Sequence, residues 1–267
     1  MRRLVSLASV AAALLVPAAA SAAPPLPSSM AALGESITRA TDVCCTYGDH
    51  PAQSWSTGDG FDGISSHYER LLALNASIAG HAYNDGWRGA KMRDAVAQAQ
   101  LAVSQGAQYV TIMLGSNDVC AGSAAGMTSV SDFEQQFISA MNVLAAGLPP
   151  GSHVFVSSIP NVYRLWQVLH QNPIAELVWG VAHLCQSMMS PTNSDVDRFN
   201  VLLREFSYNV VLANVCAQYA FCRFDGGAVF GRQFTAADVT QLDYFHPSLT
   251  GQAALAEVTW RHSWWGG

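Results

Sequence analysis

A serine, a histidine and an aspartate in this chain have the types and spacing that nucleophilic catalysis requires. Ser36 follows Gly34 and Glu35 at the end of a short apolar run. A strand-to-helix turn there would present its hydroxyl at the carboxyl end of a parallel strand, the edge where open α/β sheets bind ligands. His246 lies three residues after Asp243, so one tight turn can bring the carboxylate to Nδ1 and leave Nε2 facing Ser36. Acyl transfer at a serine needs such a base and such an orienting group.

Each stretch also has a purely structural interpretation. Ser36 could be a helix N-cap, and Asp243 could be an acid that caps the helix after it. A third stretch, Gly115-Ser116-Asn117-Asp118, follows an apolar, β-branched run. Taken alone it predicts only a turn, because Asn and Asp are ordinary turn formers.

Together the stretches resemble the motif blocks of the SGNH, or GDSL-type, hydrolase family. That family carries a serine in a Gly-Asp-Ser block, a glycine, an asparagine in a Gly-x-Asn-Asp block and a histidine in an Asp-x-x-His block. The matching residues here are Ser36, Gly89, Asn117 and His246, in the same order along the chain. The resemblance implies a serine hydrolase in which Ser36 is the nucleophile, His246 the base and Asp243 the acid that orients the base.

The resemblance also implies three donors to the oxyanion, namely the backbone N–H groups of Ser36 and Gly89 and the side-chain amide of Asn117. Gly80 and Gly86 lie close to Gly89 in the sequence and are alternatives to it. We choose Gly89 because Gly-Ala-Lys-Met opens a predicted helix, as the family's glycine block does. A glycine lets its N–H approach a substrate without a Cβ in the way. Neither a metal nor an organic cofactor is needed.

Glu35 departs from the family, which usually has aspartate at this position. Because Glu35 directly precedes Ser36 in a tight turn, we expect its side chain to diverge from the serine hydroxyl. A carboxylate near a helix N-terminus is favoured by the helix dipole and can accept N–H bonds from the turn. We therefore expect Glu35 to fix the shape of the turn rather than to orient His246.

The first 22 residues have the features of a secretory signal peptide. They contain Arg2-Arg3, an apolar run from Leu4 to Val16 and a small-residue stretch that ends Ala20-Ser21-Ala22. The apolar run is too short to span a membrane. Cleavage after Ala22 would release an extracellular protein with a single hydrolase domain, residues 23–267.

Strand and helix patterns alternate through the rest of the chain. This alternation predicts a three-layer α/β/α sandwich with a flavodoxin-like parallel sheet of about five strands. The predicted strands are 29–33, 76–83, 108–114, 153–159 and 223–225. The predicted helices include 63–74, one that begins at a Ser131–Glu134 capping box, 163–183, 195–215 and 247–260.

Six cysteines in a secreted chain predict disulfides. Cys216 and Cys222 are close enough to join a helix end to the next segment, and Cys120 could tie the loop after Asn117 to Cys185. The adjacent Cys44 and Cys45 would then form a strained vicinal pair or join other partners. A zinc site is disfavoured, because no Cys-x-x-Cys is present and the eight histidines are scattered.

The charge balance limits the classes of partner. There are 13 basic and 19 acidic residues, a net charge of −6, and no cluster of Lys or Arg. Nucleic acid and anionic membrane surfaces are therefore not expected partners. We predict a monomer without stable membrane insertion.

The motif set resembles that of extracellular GDSL-type lipases of bacteria, in which low charge and many aromatic residues suit an apolar acyl chain. The resemblance implies a secreted esterase or lipase acting on acyl lipids or phospholipids, and the seven tryptophans of this chain agree with it. Trp55 in a long loop could border the substrate groove or anchor the loop in the core. If it stacked on a sugar ring, a carbohydrate acetyl esterase would be the alternative. A third possibility is a non-catalytic secreted binding module of the same fold.

Overall fold

The computed structural model describes residues 23–266, so the predicted signal peptide lies outside the described residues. One sheet contains five strands that all run parallel, in the order β2-β1-β3-β4-β5. Their bounds are β1 Met30–Gly34, β2 Ala82–Asn84, β3 Tyr109–Met113, β4 His153–Val156 and β5 Cys222–Phe224. This order is that of a flavodoxin-like doubly wound sheet, and the predicted α/β fold is confirmed.

Ten α-helices accompany the sheet within the described residues. They are α1 His67–Leu74, α2 Ala95–Ser104, α3 Ser116–Val119, α4 Val130–Gly147, α5 Val162–Leu169, α6 Pro173–Val181, α7 Gln186–Met189, α8 Asp195–Cys216, α9 Ala228–Gly231 and α10 Leu249–His262. Between residues 23 and 266, none of these helices is both long enough and apolar enough to cross a membrane.

The side chains of the sheet alternate between two cores. Ala31 and Leu33 of β1 pack in the larger core, together with buried residues of α2, α4 and α8. Met30 of the same strand packs on the other face, with residues of α1 and α10. Successive side chains of a strand point to opposite faces, so a strand with helices on both sides buries its side chains on both faces. Every residue of β1 and of β3 is buried accordingly.

The predicted bounds need correction at several elements. The strand expected over 76–83 is replaced by a 3-10 turn at Ala76–Ile78 and by β2, which begins only at Ala82. α4 is capped by the hydroxyl of Ser129, which accepts from the Asp132 N–H, and not by Ser131. The helix expected over 163–183 is broken between α5 and α6, where the Asn172 side chain caps α6.

Both predicted disulfide pairings are present, Cys120–Cys185 and Cys216–Cys222. The vicinal pair or other pairing expected for Cys44 and Cys45 is wrong, because both are free thiols. Trp55 is fully buried in a small core with Ile64 and Leu255, so it anchors its loop and does not border a groove.

Candidate active site

Ser36 stands directly beyond the carboxyl end of β1, at a point fixed by Gln98 of α2. The Gly34 N–H donates to Gln98 Oε1 at 2.7 Å, and Gln98 Nε2 donates back to the Gly34 carbonyl at 2.9 Å. A Cβ on Gly34 would lie 2.1 Å from Thr38 Oγ1, so only glycine fits there. Residues 36–42 form successive turns rather than a regular helix. The sequence reasoning missed Gln98, whose only signal is a polar residue on the inner side of a helix.

His246 and Asp243 form the contact that their spacing predicted. Asp243 Oδ2 lies 2.5 Å from His246 Nδ1, while Oδ1 accepts the backbone N–H groups of Phe245 at 2.8 Å and His246 at 3.0 Å. Tyr244 has a φ of +56° and makes the tight turn between them. The Ser248 hydroxyl then caps α10 immediately after the histidine. The carboxylate is thus held by the backbone in the orientation that positions the imidazole.

The imidazole of His246 is surrounded by acids. Burial acts to lower the pKa of His246, but the hydrogen bond and charge of Asp243, together with the charges of Glu35 and Asp42, outweigh it and raise that pKa above its usual value. Nε2 is buried and has no hydrogen-bond partner among the described residues. A base with a raised pKa and a free Nε2 is equipped to take a proton from a neighbouring hydroxyl.

Asn117 lies on α3, directly beyond the carboxyl end of β3. Gly115 begins this turn with a φ of +131°, and a Cβ there would lie 2.3 Å from Ile159 Cδ1. The Asn117 amide Nδ2 donates to the Ala90 carbonyl at 3.0 Å and to Glu35 Oε2 at 3.3 Å. This amide therefore links the end of β3 to the segment after β2 and to the residue before Ser36.

Gly89 adopts a φ of +73° and is exposed. It does not line the cleft that contains Ser36, although its neighbour Ala90 accepts the Asn117 amide. Gly86 is buried, and a Cβ there would lie 3.1 Å from the Gly34 backbone. Gly86 thus serves close packing against β1, while Gly89 serves the turn that carries Ala90.

The expectation that the Glu35 side chain diverges from the serine hydroxyl is wrong. Ser36 Oγ donates to Glu35 Oε2 at 2.6 Å, and Asn117 Nδ2 donates to the same oxygen. The glutamate has one methylene more than aspartate, which gives the carboxylate enough reach to turn back to the adjacent hydroxyl. Burial raises the pKa of Glu35, although the Ser36 hydrogen bond and the charge of His246 act in the opposite direction.

Ser36 and His246 are therefore brought into one cleft without a hydrogen bond between them in this state. The described residues include no donor to His246 Nε2, and the Ser36 hydroxyl is directed to Glu35 instead. Hydrogen bonds in sites without substrate are often absent or long and form only in the reactive complex. A rotation of the serine side chain is needed before the base can act.

The cleft at Ser36 is lined largely by apolar side chains. They include Ile37, Val162, Leu165, Val168, Phe234, Val239 and Leu255, and the polar part of the lining includes Glu35, Ser36, Ser116, Asn117, Asn161, Asp238 and His246. Tyr163 and Trp166 are not part of the lining, and Trp166 instead packs under the Arg198 guanidinium.

Two polar side chains of α8 hold this lining in place. Both carboxyl oxygens of Glu205 accept the Val162 N–H, at 3.3 and 3.2 Å, and Asn209 Oδ1 accepts the Ile159 N–H at 2.8 Å. Burial raises the pKa of Glu205 well above its usual value. Neither residue was predicted from the sequence. Polar residues on the core-facing side of a long helix were the available signal.

Asp42, Asp243 and His246 are close enough to hold a cation, since one potential ligand atom from each lies within 4.8 Å of the others. The protein already supplies partners to these groups. Asp243 Oδ2 contacts His246 Nδ1, Asp42 Oδ1 accepts the Gly48 N–H at 2.6 Å, and Arg88 lies 3.9 Å from Asp42 Oδ2. The two aspartates therefore place acidic side chains beside the histidine.

The chain resembles known hydrolases in sequence and in fold. The family model for GDSL-like lipase/acylhydrolase matches residues 30–259. A search among curated protein sequences finds no match. Similar solved structures include an extracellular lipase from Streptomyces rimosus, with 17% identity over 88% of this chain and 99% of that chain and a TM-score of 0.50. An acetyl xylan esterase, AlAXEase, has 13% identity over 86% of this chain and 98% of that chain, with a TM-score of 0.52. A structure assigned as a GDSL-like lipase from Parabacteroides merdae has 16% identity over 87% and 94% of the two chains, with a TM-score of 0.53.

Proposed function

Because the chain belongs to the GDSL-like lipase/acylhydrolase family, we propose that it is a secreted serine esterase or lipase that hydrolyses the carboxylic esters of acyl lipids or phospholipids. One observation carries the choice of substrate. The cleft beside Ser36 is lined largely by apolar side chains, among them Val162, Leu165 and Phe234. Such a lining fits an acyl chain, because burying apolar area stabilises binding by roughly 25 cal/mol per Å².

In the proposed reaction the Ser36 hydroxyl first turns from Glu35 to His246 Nε2. Ser36 Oγ then attacks the ester carbonyl while His246 takes its proton, and Asp243 stabilises the imidazolium that forms. Collapse of the tetrahedral intermediate breaks the bond to the leaving alcohol, which receives the proton from His246. Water repeats the sequence on the acyl-enzyme and releases the carboxylic acid.

The proposed oxyanion donors are the Ser36 and Gly89 N–H groups and the Asn117 amide. Support for Asn117 comes from its place at the cleft within hydrogen-bond reach of the residue before Ser36. Support for Gly89 is its position beside Ala90, whose carbonyl holds that amide. The donors would stabilise the negative oxygen that develops only in the transition state.

Hydrolysis of an ester series from acetyl to palmitoyl, run beside phosphatidylcholine and acetylated xylan, tests the proposal. We expect long acyl chains to be preferred by the wild-type protein and hydrolysis to be lost in a folded Ser36→Ala variant. A fluorophosphonate probe should label the wild type and not that variant. Acetyl-only activity with preference for xylan would identify a carbohydrate esterase instead, and labelling of Ser36→Ala would refute the nucleophile.

We propose that the protein is exported, because residues 1–22 have the features of a signal peptide. Expression in a secreting bacterial host, followed by intact mass measurement of the protein in the medium, tests it. A mature chain beginning at Ala23 is expected, and retention of the full-length chain in the cells would contradict the proposal.

A further inference from the structure

The longest helix among the described residues, α8, carries a row of apolar side chains on its solvent-facing side. Val196, Phe199, Leu203, Phe206 and Val210 of α8 are 68%, 53%, 46%, 53% and 42% exposed. Their spacing of three and four residues keeps them on one stripe of the helix. The buried residues of α8, which include Val201, Tyr208 and Leu212, lie on the opposite side. We call these five exposed residues the α8 stripe.

The order of residue types along the α8 stripe is the same from either end, and the spacings from Leu203 differ by at most one residue. Leu203 is at its centre, with Phe199 and Phe206 on either side and Val196 and Val210 at the ends. An interface between two identical chains related by a two-fold axis must be self-complementary, so that residue i meets residue j and j meets i. Two antiparallel copies of α8 crossing at Leu203 satisfy this condition, because each phenylalanine meets a phenylalanine and each valine a valine.

The exposed area is of the size that such a pair needs. The two phenylalanines have roughly 150–250 Å² of surface each and the aliphatic residues have less. With the exposed fractions given above, the α8 stripe therefore offers at most about 500 Å² per copy, or about 1,000 Å² in a pair. That value is at the lower limit for a specific interface. Phe230 of α9, whose ring lies 6.3 Å from that of Phe206, extends the apolar surface.

The charges near the α8 stripe favour a protein partner over a lipid surface. Helices that lie on membranes are rich in Lys and Arg beside their apolar face. The ionisable residues at the exposed N-terminal end of α8 are Asp195 and Asp197. The two arginines of α8, Arg198 and Arg204, instead donate to backbone carbonyls of the protein itself. The uncharged residues Asn200, Ser207 and Asn214 flank the stripe, and covering them costs less than covering charges. A shallow hollow beside Leu203 offers room for a partner side chain, and its lining includes Met127 and Arg204.

We propose that the protein forms a reversible homodimer through antiparallel packing of the α8 stripe about a two-fold axis at Leu203. This revises the monomer expected from the sequence. Because the interface is small, half-dissociation is expected at micromolar concentration. The α8 stripe is not part of the cleft lining, so the dimer is independent of the proposed hydrolysis.

Sedimentation velocity of the chain from residue 23, over about 1–200 µM, tests the proposal. The wild type should convert from monomer to dimer across that range. Leu203→Glu and Leu203→Lys should each remain monomeric, because each places two like charges at the axis. An equimolar mixture of the two should recover the dimer. Leu177→Glu, at an exposed apolar residue of α6, is the matched control and should dimerise like the wild type.

Circular dichroism and thermal melting check that the variants are folded. A wild type that stays monomeric at the highest concentration overturns the proposal. A dimer that persists in Leu203→Glu, or a mixture that fails to recover one, overturns the placement of the axis and with it the proposal. A monomeric wild type that sediments with phosphatidylcholine vesicles, and loses this in Leu203→Glu, would show that the α8 stripe binds lipid instead.

Discussion

The two disulfides should differ in their contribution to stability by about a factor of two, because they close loops of different length. Cys120–Cys185 spans a sequence separation of 65 residues and Cys216–Cys222 spans 6. With the chain-entropy relation, loss of the longer cross-link costs about 14.5 cal/mol/K, or about 4.3 kcal/mol at 25 °C, and loss of the shorter costs about 2.2 kcal/mol. Paired alanine substitutions at each bridge are the perturbation.

Thermal and urea unfolding measure the effect. A domain of this size loses about 2–4 °C of Tm per kcal/mol. Cys120→Ala/Cys185→Ala should therefore melt about 9–17 °C below the wild type, and Cys216→Ala/Cys222→Ala about 4–9 °C below it. Cys44→Ala/Cys45→Ala, which removes two free thiols, is the matched control and should change Tm by about 1 °C or less.

The longer bridge should matter more for stability than for rate. Cys120 ends α3, which carries Asn117. The same junction keeps three hydrogen bonds without the bridge, from Ser187 Oγ to the Val119 carbonyl at 2.6 Å and in both directions between Ala121 and Ser187. At 25 °C we expect kcat/KM to fall by less than about tenfold, a barrier change below about 1.4 kcal/mol. An equal or larger Tm loss from the short loop would refute the loop-length reasoning.

Three further predictions concern the proposed site, each to be measured on an ester that the wild type hydrolyses. Asp243→Asn should lower kcat by about 100- to 10,000-fold, because Asp243 is the described partner of His246 Nδ1; a loss below about tenfold would mean that another group orients the ring. Asn117→Ala should lower kcat by about 100- to 1,000-fold, and an unchanged kcat would remove it from the oxyanion site. Glu35→Gln removes a negative charge that raises the pKa of His246. The acidic limb of the kcat/KM profile should then move to lower pH, since the base must be neutral, and an unmoved limb would mean that Glu35 is uncharged where His246 titrates.

Local sequence pattern predicted most of the framework. The apolar runs at β1 and β3 predict strands that are covered on both faces. The polar motif residues Ser36 and Asn117 follow shortly after these strands. The Asp243–His246 contact could also be predicted from the sequence, because the two residues are joined by a single turn of backbone. Short-range geometry of this kind depends on few residues, all of them visible in one stretch of sequence.

Contacts between segments far apart in the sequence could not be predicted from local pattern. The pairing of Gln98 with Gly34 joins residues 64 positions apart, and that of Glu205 with Val162 joins residues 43 apart. Each puts a polar group into a core where apolar residues are the default, so only the packed structure reveals its partner. β2 was overextended for a related reason, since Asn75 caps a 3-10 turn where the apolar pattern suggested a strand.

The contact between Glu35 and Ser36 bears on how the proposed reaction begins. Ser36 Oγ and Asn117 Nδ2 donate to the same carboxyl oxygen of Glu35. Burial raises the pKa of that carboxyl, while hydrogen bonds act in the opposite direction. One of the three proposed oxyanion donors, the Asn117 amide, thus already has an oxygen acceptor in the structure. In the proposed reaction the oxyanion would replace Glu35 as the acceptor of that amide, so the donor would not need to be newly oriented. When the ester takes this donor from Glu35, the serine hydroxyl would turn to the unpartnered Nε2 of His246. Substrate binding and activation of the nucleophile would then be coupled.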